Sequence, residues 1–201
     1  MLRIYGDHRS GNCYKVKLMM HLLGRPYEWV AIDLTGGETR SDAFRAINPN
    51  GKIPVLELED GTHLWESNAI LNYLAEGSEF LPADPRLRTQ VLQWQFFEQY
   101  SHEPYLSRAR LIKVFEGDPQ ERREEYEAKR YDGYHALSVM EQQLRRTPYL
   151  VGEACSIADV ALYPFTSLAE ESGIDLADYP AIRAWLRRVA SHPRYIPITV
   201  E

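Results

Sequence analysis

Cysteine is scarce in this chain of 201 residues, which contains only Cys13 and Cys155. Two cysteines so far apart do not make a disulfide framework, and we expect two free thiols in a reducing compartment, the cytoplasm. The chain also lacks a secretory signal and any run of about 18 apolar residues, so we expect no membrane-spanning segment. The composition therefore fits neither a disulfide-rich secreted protein nor a membrane protein.

Positive charge is not in excess, because 23 Lys and Arg stand against 29 Asp and Glu and give a net charge of -6. Phosphate binding needs a clustered surplus of basic residues, so we expect no nucleic-acid partner. The six histidines show no spacing typical of metal ligands, and we expect no metal site. What the chain does contain, 44% hydrophobic and 26% charged residues, is typical of a soluble globular protein.

The first eighty residues alternate short apolar runs with helix-like segments in the order β-α-β-α-β-β-α. Such alternation predicts an α/β layer built on a mixed sheet. Asp60-Gly61, between the runs IPVLELED and HLWE, predicts a hairpin for the last two strands.

Strand-like patterns disappear after the segment PADPRLR, in which two prolines bracket a polar turn. We therefore predict one domain over residues 1–78, a linker over 79–86 and an all-helical domain over 87–201. The predicted helices cover residues 87–114, 119–146, 157–171 and 180–191. Aromatic residues of the first of these helices are expected in the core: Trp94, Phe96 and Phe97.

Ser156 and Asp159 form an S-x-x-D box in the segment ACSIADVALYPF. This pattern predicts a reciprocal cap at the start of a helix. Capping of this kind contributes on the order of 1 kcal/mol, so we expect a structural role that leaves the chemistry untouched.

The turn SGNC, residues 10–13, lies between the first strand-like run and the first helix. Cys13 shares one helix face with apolar residues at positions 16, 20 and 23, which predicts that its side chain lies in the core. Ser10 precedes the helix, whose unpaired N–H groups and positive dipole end favour an anion. The S-x-x-C arrangement resembles a thioredoxin-like C-x-x-C turn with its first cysteine replaced, so the reactive thiol would belong to a ligand.

A ligand thiol of pKa about 8.5 needs about 2.7 kcal/mol of preferential thiolate stabilisation to lower its pKa by two units. A helix N-terminus supplies at most about 2 kcal/mol, and a hydrogen bond to a charged group adds about 1.5 to 3 kcal/mol. The two together suffice, and Ser10 can donate that hydrogen bond. The alternative is that Ser10 serves only as a helix-entry residue.

A second group of polar residues lies in the segment NPNGKIPVLELEDGTHLWESNAI. Ser67 is expected to be the N-cap of the following helix, where its hydroxyl and the helical N–H groups can hold a carboxylate. Glu66 can receive an ammonium group, and Lys52 can serve a second carboxylate. Pro54 opens a strand, where its missing N–H is tolerated. This pattern suits a ligand with an α-amino acid end.

The order of elements, the motifs NGKIPVL and ESNAILNYLA, the helical second half and the SIADVALYP box together resemble the cytosolic glutathione transferase family. The resemblance spans the whole chain and is closest to bacterial-type, theta-like or nu-like members with an active-site serine. It implies a thioredoxin-like N-terminal domain that binds glutathione as substrate, a C-terminal helical bundle that lines a hydrophobic pocket, and a homodimer.

The resemblance also assigns roles to individual residues. Ser10 matches the serine that activates the glutathione sulfur, and Asn12 resembles the asparagine of nu-type members, which reduce disulfides. Ile53, before an expected cis-Pro54, would pair its backbone with the cysteinyl part of glutathione. The remaining tripeptide contacts would come from Lys52, Glu66 and Ser67. Tyr105 and Arg108, on the first long C-terminal helix, are candidates for the electrophile pocket.

These assignments predict a glutathione transferase that delivers the thiolate to an electrophilic small molecule, as in detoxification. Two alternatives keep the fold: a glutathione-dependent disulfide reductase, favoured by Asn12, and a non-catalytic interaction module. An isomerase is also open, although SGNC lacks the Ser-Ser-Cys run of zeta-type members. Beta-type members work through a cysteine near this position, which leaves a role for Cys13 open.

Overall fold

The computed structural model describes residues 1–34 and 36–198, and their contacts form two compact units. The first unit comprises Met1–Ser78 together with residues 192–198, and the second comprises Glu79–Ser191. Both ends of the predicted helical domain therefore differ from the sequence-based division. At the predicted linker, the side chain of Phe80 is buried and its carbonyl accepts the Ile157 N–H at 2.9 Å, so this segment packs in the second unit.

The first unit is built on a four-stranded mixed sheet, which confirms the predicted β-α-β-α-β-β-α order. β1 is parallel to β2 and antiparallel to β3, and β3 and β4 form the predicted hairpin, giving the strand order β2-β1-β3-β4. The elements are β1 (Leu2–Gly6), α1 (Gly11–Leu23), β2 (Tyr27–Ala31), α2 (Asp42–Ile47), β3 (Val55–Glu57), β4 (His63–Trp65) and α3 (Ser67–Ala75).

Helix α1 starts directly beyond the end of β1 and is almost entirely buried. Ser10 caps its first turn, and Gly24 ends it in the left-handed conformation at φ 64°, which glycine adopts without steric cost. Buried positions lie all around the helix and include Lys15 and Lys17 beside apolar residues. Because lysine is almost never fully buried without a partner, the burial of these two side chains indicates polar groups inside the unit.

The C-terminal segment returns to the first unit and contacts α1. The Tyr14 hydroxyl donates a hydrogen bond to the Ile196 carbonyl at 2.6 Å, and Arg194 Nη1 donates to the Leu22 carbonyl at 3.2 Å. These contacts explain why residues 192–198 belong to this unit.

The second unit is all helical, as predicted. Its helices are α4 (Pro85–Phe97), α5 (Glu103–Arg110), α6 (Arg123–Leu144), α7 (Ile157–Ser167) and α8 (Pro180–Ala190). π-Helical segments, Glu98–His102 and Leu111–Phe115, make one helical run of α4, α5 and the residues that follow. Such segments change the faces that successive turns present.

The predicted capping box at the start of α7 is present. The Ser156 side chain accepts from the Ala158 N–H, and Asp159 Oδ2 accepts from the Ser156 N–H at 2.9 Å. Asp159 is fully buried, and its Oδ1 also accepts from the Trp185 indole N–H at 2.8 Å. The box therefore connects α7 to α8 as well as capping α7.

The prediction that Phe96 packs in the core is wrong, because its side chain is 72% exposed. Trp94 and Phe97 are partly buried and meet edge to face, with ring centroids 5.3 Å apart. Phe96 points outward with Leu92 and Tyr100, four residues away on either side. These three residues form an exposed apolar stripe on the α4 run.

No helix among residues 1–34 and 36–198 is long and apolar enough to cross a membrane.

Candidate functional site

The N-termini of α1 and α3 meet in the first unit. Asn12 is the second residue of α1 and Ser67 the first residue of α3, and Ser67 Oγ lies 3.4 Å from Asn12 Oδ1. Each helix brings unpaired N–H groups and a positive dipole end to this place. Two converging helix N-termini make a site for an anionic ligand.

Ser10 lies at the same end of α1, in a turn that is stabilised by hydrogen bonds to Asp7. Its N–H donates to the Asp7 carbonyl at 3.0 Å, and its Oγ accepts from the Cys13 N–H at 3.3 Å. The Asp7 carboxylate accepts from the Arg9 N–H at 2.8 Å and from Arg9 Nε and Nη2 at 3.0 and 2.6 Å. Hydrogen bonding from the Arg9 side chain lowers the pKa of Asp7, so the Asp7 carboxylate stays ionised in this turn.

Cys13 has no exposed surface, as the helix periodicity predicted. Burial raises the pKa of its thiol to about 12, and a hydrogen bond from Ser10 offsets only part of that effect. The thiolate is the reactive form of cysteine. A buried thiol with this pKa does not act as a nucleophile at neutral pH, which argues against the beta-type role of Cys13.

Glu66, and not Ser67 as predicted, occupies the N-cap position of α3. Its backbone has φ 67°, in the left-handed region that favours glycine, while its carbonyl accepts the Ile70 N–H at 3.0 Å. A non-glycine residue in this conformation costs of the order of 1–3 kcal/mol and is typical of functional sites. The exposed Glu66 carboxylate accepts from Asn50 Nδ2 at 3.5 Å.

The segment before β3 is shaped by Asn48 and contains the predicted cis bond. Asn48 Nδ2 donates to the Lys52 carbonyl at 2.6 Å, and its Oδ1 accepts the Asn50 N–H at 3.0 Å. The Lys52 side chain is exposed, and the Ile53-Pro54 peptide bond is cis. The Lys52 ammonium group is therefore open to solvent.

The predicted pocket residues lie on α5 and face α6. Arg108 Nε donates to Glu125 at 2.8 Å, and the Lys129 ammonium lies 5.2 Å from the centroid of the Tyr105 ring. A cavity of about 530 Å³ in the second unit has neither residue in its lining. That cavity is lined mainly by α4, α6 and the loop after α6, including Leu87, Gln90, Trp94, Phe97, Gln143 and Leu150.

One polar residue of the site was missed by the sequence analysis. Lys15 is fully buried on α1, and its Nζ lies 3.4 Å from Ser67 Oγ. Its signal in the sequence was a lysine between Tyr14 and Val16, in a helix rich in apolar residues. Over residues 1–34 and 36–198, the structure brings together no group of three or more potential metal ligands.

Two family models match the chain: the N-terminal domain of glutathione S-transferase over residues 9–76 and its C-terminal domain over residues 94–193. A crystal structure of glutathione S-transferase from Pseudomonas fluorescens Pf-5 has a TM-score of 0.98 at 67% identity, covering 99% of each chain. Disulfide-bond oxidoreductase YfcG from Escherichia coli K12 is 35% identical over 193 residues, 90% of this chain and 87% of its own. The glutathione transferase URE2P6 of Phanerochaete chrysosporium, crystallised with oxidized glutathione, has a TM-score of 0.86 at 25% identity and covers 96% of this chain and 92% of its own.

Proposed function

Because the chain belongs to the glutathione S-transferase family, we propose that it binds reduced glutathione in its first unit and activates the thiol for attack on an electrophilic small molecule. The observation that carries this proposal is the meeting of the α1 and α3 N-termini, with Asn12 and Ser67 side chains 3.4 Å apart and Ser10 on the turn before α1. In this reaction the thiolate forms a bond to the electrophilic atom as the leaving group departs.

Ser10 stabilises the thiolate in this proposal. Its hydroxyl oxygen already accepts the Cys13 N–H at 3.3 Å, so its own proton remains as the donor to a ligand sulfur. The buried Cys13 competes for that proton only as a neutral thiol, a weak acceptor. The charged ligand is the stronger acceptor, because hydrogen bonds to ionised groups are about twice as strong.

The rest of the tripeptide is held by charge complementarity. Glu66 receives the α-ammonium group of the γ-glutamyl end, and the backbone N–H of Ser67 at the α3 N-terminus receives its carboxylate. Lys52 serves the glycyl carboxylate, and the backbone of Ile53, next to cis-Pro54, pairs with the cysteinyl part. The exposed carboxylate of Glu66 and ammonium of Lys52 support this assignment.

A disulfide reductase is the second candidate, favoured by Asn12 at the site and by the 35% identity to an enzyme named disulfide-bond oxidoreductase. In that reaction the glutathione thiolate attacks one sulfur of a disulfide and releases the other as a thiol. A second glutathione thiolate then attacks the glutathione sulfur of the mixed disulfide, which releases the remaining substrate thiol and forms oxidized glutathione. The similarity to a transferase crystallised with oxidized glutathione supports a site of this capacity.

One preparation assayed for both reactions separates the candidates. We expect saturable conjugation of reduced glutathione to an activated aryl halide, and rates within about twofold of wild type for Cys13→Ala, because a neutral buried thiol takes no part. Exchange with a small disulfide but no conjugation would favour the reductase. Glutathione binding without either reaction would leave only a binding module.

We also propose that the protein is a homodimer and that the exposed stripe of Leu92, Phe96 and Tyr100 lies in the interface. Contiguous exposed apolar surface marks interaction sites. We expect light scattering to give twice the chain mass, and Phe96→Glu to shift the protein toward monomer because a charge would be buried. Val114→Glu, outside the stripe, should stay dimeric. Dimers that survive Phe96→Glu would place the interface elsewhere.

The electrophile pocket and the cellular setting complete the proposal. Tyr105 and Arg108 are proposed as lining residues, and the expected substrates are small hydrophobic electrophiles met in detoxification. The two free cysteines, of which Cys13 is buried, support a reducing compartment, the cytoplasm.

A further inference from the structure

Lys15 lies behind the proposed glutathione site, and neither the resemblance nor the proposed chemistry uses it. Its side chain has no exposed surface and occupies the second turn of α1. Its Nζ lies 3.4 Å from Ser67 Oγ, which in turn lies 3.4 Å from Asn12 Oδ1. Three side chains from two helices thus form one hydrogen-bonded chain.

The chemistry of the three groups fixes the direction of this chain. An ammonium group can only donate, so the Ser67 oxygen accepts from Lys15. The single hydroxyl proton of Ser67 is then donated in a hydrogen bond to the side-chain oxygen of Asn12. The oxygen and the nitrogen of an amide project in different directions from the same carbon. When the Asn12 oxygen accepts from Ser67, the Asn12 amide nitrogen, a donor, therefore faces away from Ser67.

We propose that Lys15 is a positioning residue of the glutathione site, which sets the donor direction of Ser67 and the orientation of the Asn12 amide. This inference rests on the proposed function. Through it, the end of the site that holds the γ-glutamyl carboxylate is connected to the turn that holds the sulfur. Without the lysine, the Ser67 hydroxyl loses the donor that directs its proton toward Asn12.

The consequence is measured best as a shift in the ionisation of bound glutathione. Lys15→Met keeps an unbranched apolar side chain of similar length but removes the donors. We expect the apparent pKa of the bound thiol to rise and kcat/KM at neutral pH to fall about 10- to 100-fold, as for loss of a hydrogen bond to a charged group. Ser67→Ala should raise the thiol pKa by a similar amount, and the double variant should add little.

Lys17→Met is the matched control. Lys17 is also buried on α1, at 6% exposure, but its Nζ lies 3.5 Å from His8 Nδ1. We expect this variant to keep the wild-type pH-rate profile even if it is less stable. If wild type and Lys17→Met both conjugate glutathione and Ser10→Ala conjugates it more slowly, the proposed function is established independently of Lys15.

A purely structural lysine would give a different result. Lys15→Met would then lower the denaturation midpoint and leave the thiol pKa and the KM for glutathione unchanged, which overturns the inference. If Lys15→Met does not fold, Ser67→Ala decides: a raised KM for glutathione with an unchanged thiol pKa would equally overturn it. Absence of turnover in wild type would instead count against the proposed function.

Discussion

Replacing Ser10 with alanine should slow glutathione conjugation by about 10- to 1,000-fold at neutral pH. That range corresponds to losing about 1.5 to 4 kcal/mol of thiolate stabilisation. The α1 N-terminus remains in the variant, but it supplies at most about 2 kcal/mol. The apparent pKa of the bound thiol should therefore rise, so the loss in rate should shrink as the pH is raised. A pH-rate profile for wild type and variant measures both effects.

Ser41→Ala is the matched control for this experiment. Ser41 caps α2 as Ser10 caps α1, with its Oγ accepting the Phe44 N–H at 3.1 Å. Both substitutions remove one helix cap and should cost about 1 kcal/mol of stability. Only Ser10→Ala should change the rate and the thiol pKa. If the two variants have the same pH-rate profile, Ser10 is merely a cap.

The largest effect on stability is expected for Asp159→Ala. The buried carboxylate accepts hydrogen bonds from the Leu150 N–H at 2.9 Å and from the Trp185 indole at 2.8 Å, besides those of Ser156. Each buried donor left unpaired costs about 1 to 3 kcal/mol. Because relief of the buried charge offsets part of this cost, we expect the free energy of unfolding to fall by about 3 to 5 kcal/mol. Urea denaturation measures it.

The pH dependence of this contribution has a defined sign. Burial raises the pKa of Asp159 despite its four hydrogen bonds. The folded state therefore holds a proton more tightly than the unfolded state, and the contribution of Asp159 to stability falls as the pH rises between the two pKa values. Ser156→Ala, which removes the cap hydroxyl alone, should cost only about 1 kcal/mol. An equally small loss for Asp159→Ala would contradict the bonding role of the carboxylate.

Local signals predicted much of the fold. The Asp60-Gly61 turn gave the β3-β4 hairpin, and the S-x-x-D spacing gave the cap of α7, because both depend on residues close in sequence. Cys13 was placed in the core from a single helix face, and it is fully buried. Such features need no knowledge of distant contacts.

The predictions that failed depended on contacts or backbone geometry that spacing does not carry. Phe96 was assigned to the core because aromatic residues on long helices usually pack there, yet it lies on the outward face of α4. Ser67 was expected to cap α3, but the left-handed backbone of Glu66 moves the cap back by one residue. Lys15 was overlooked because its partner Ser67 is 52 residues away in sequence.

The contacts of the C-terminal segment with α1 impose an order on biosynthesis. The Tyr14 hydroxyl bonds to a residue 182 positions later in the chain, and the Leu22 carbonyl bonds to one 172 positions later. The ribosome synthesises the entire second unit after Tyr14 and Leu22 and before their partners. The first unit is therefore the first to be synthesised in part and the last whose contacts are completed. A nascent chain that folds from its N-terminus therefore cannot complete these contacts of the first unit until the helices of the second unit have been synthesised.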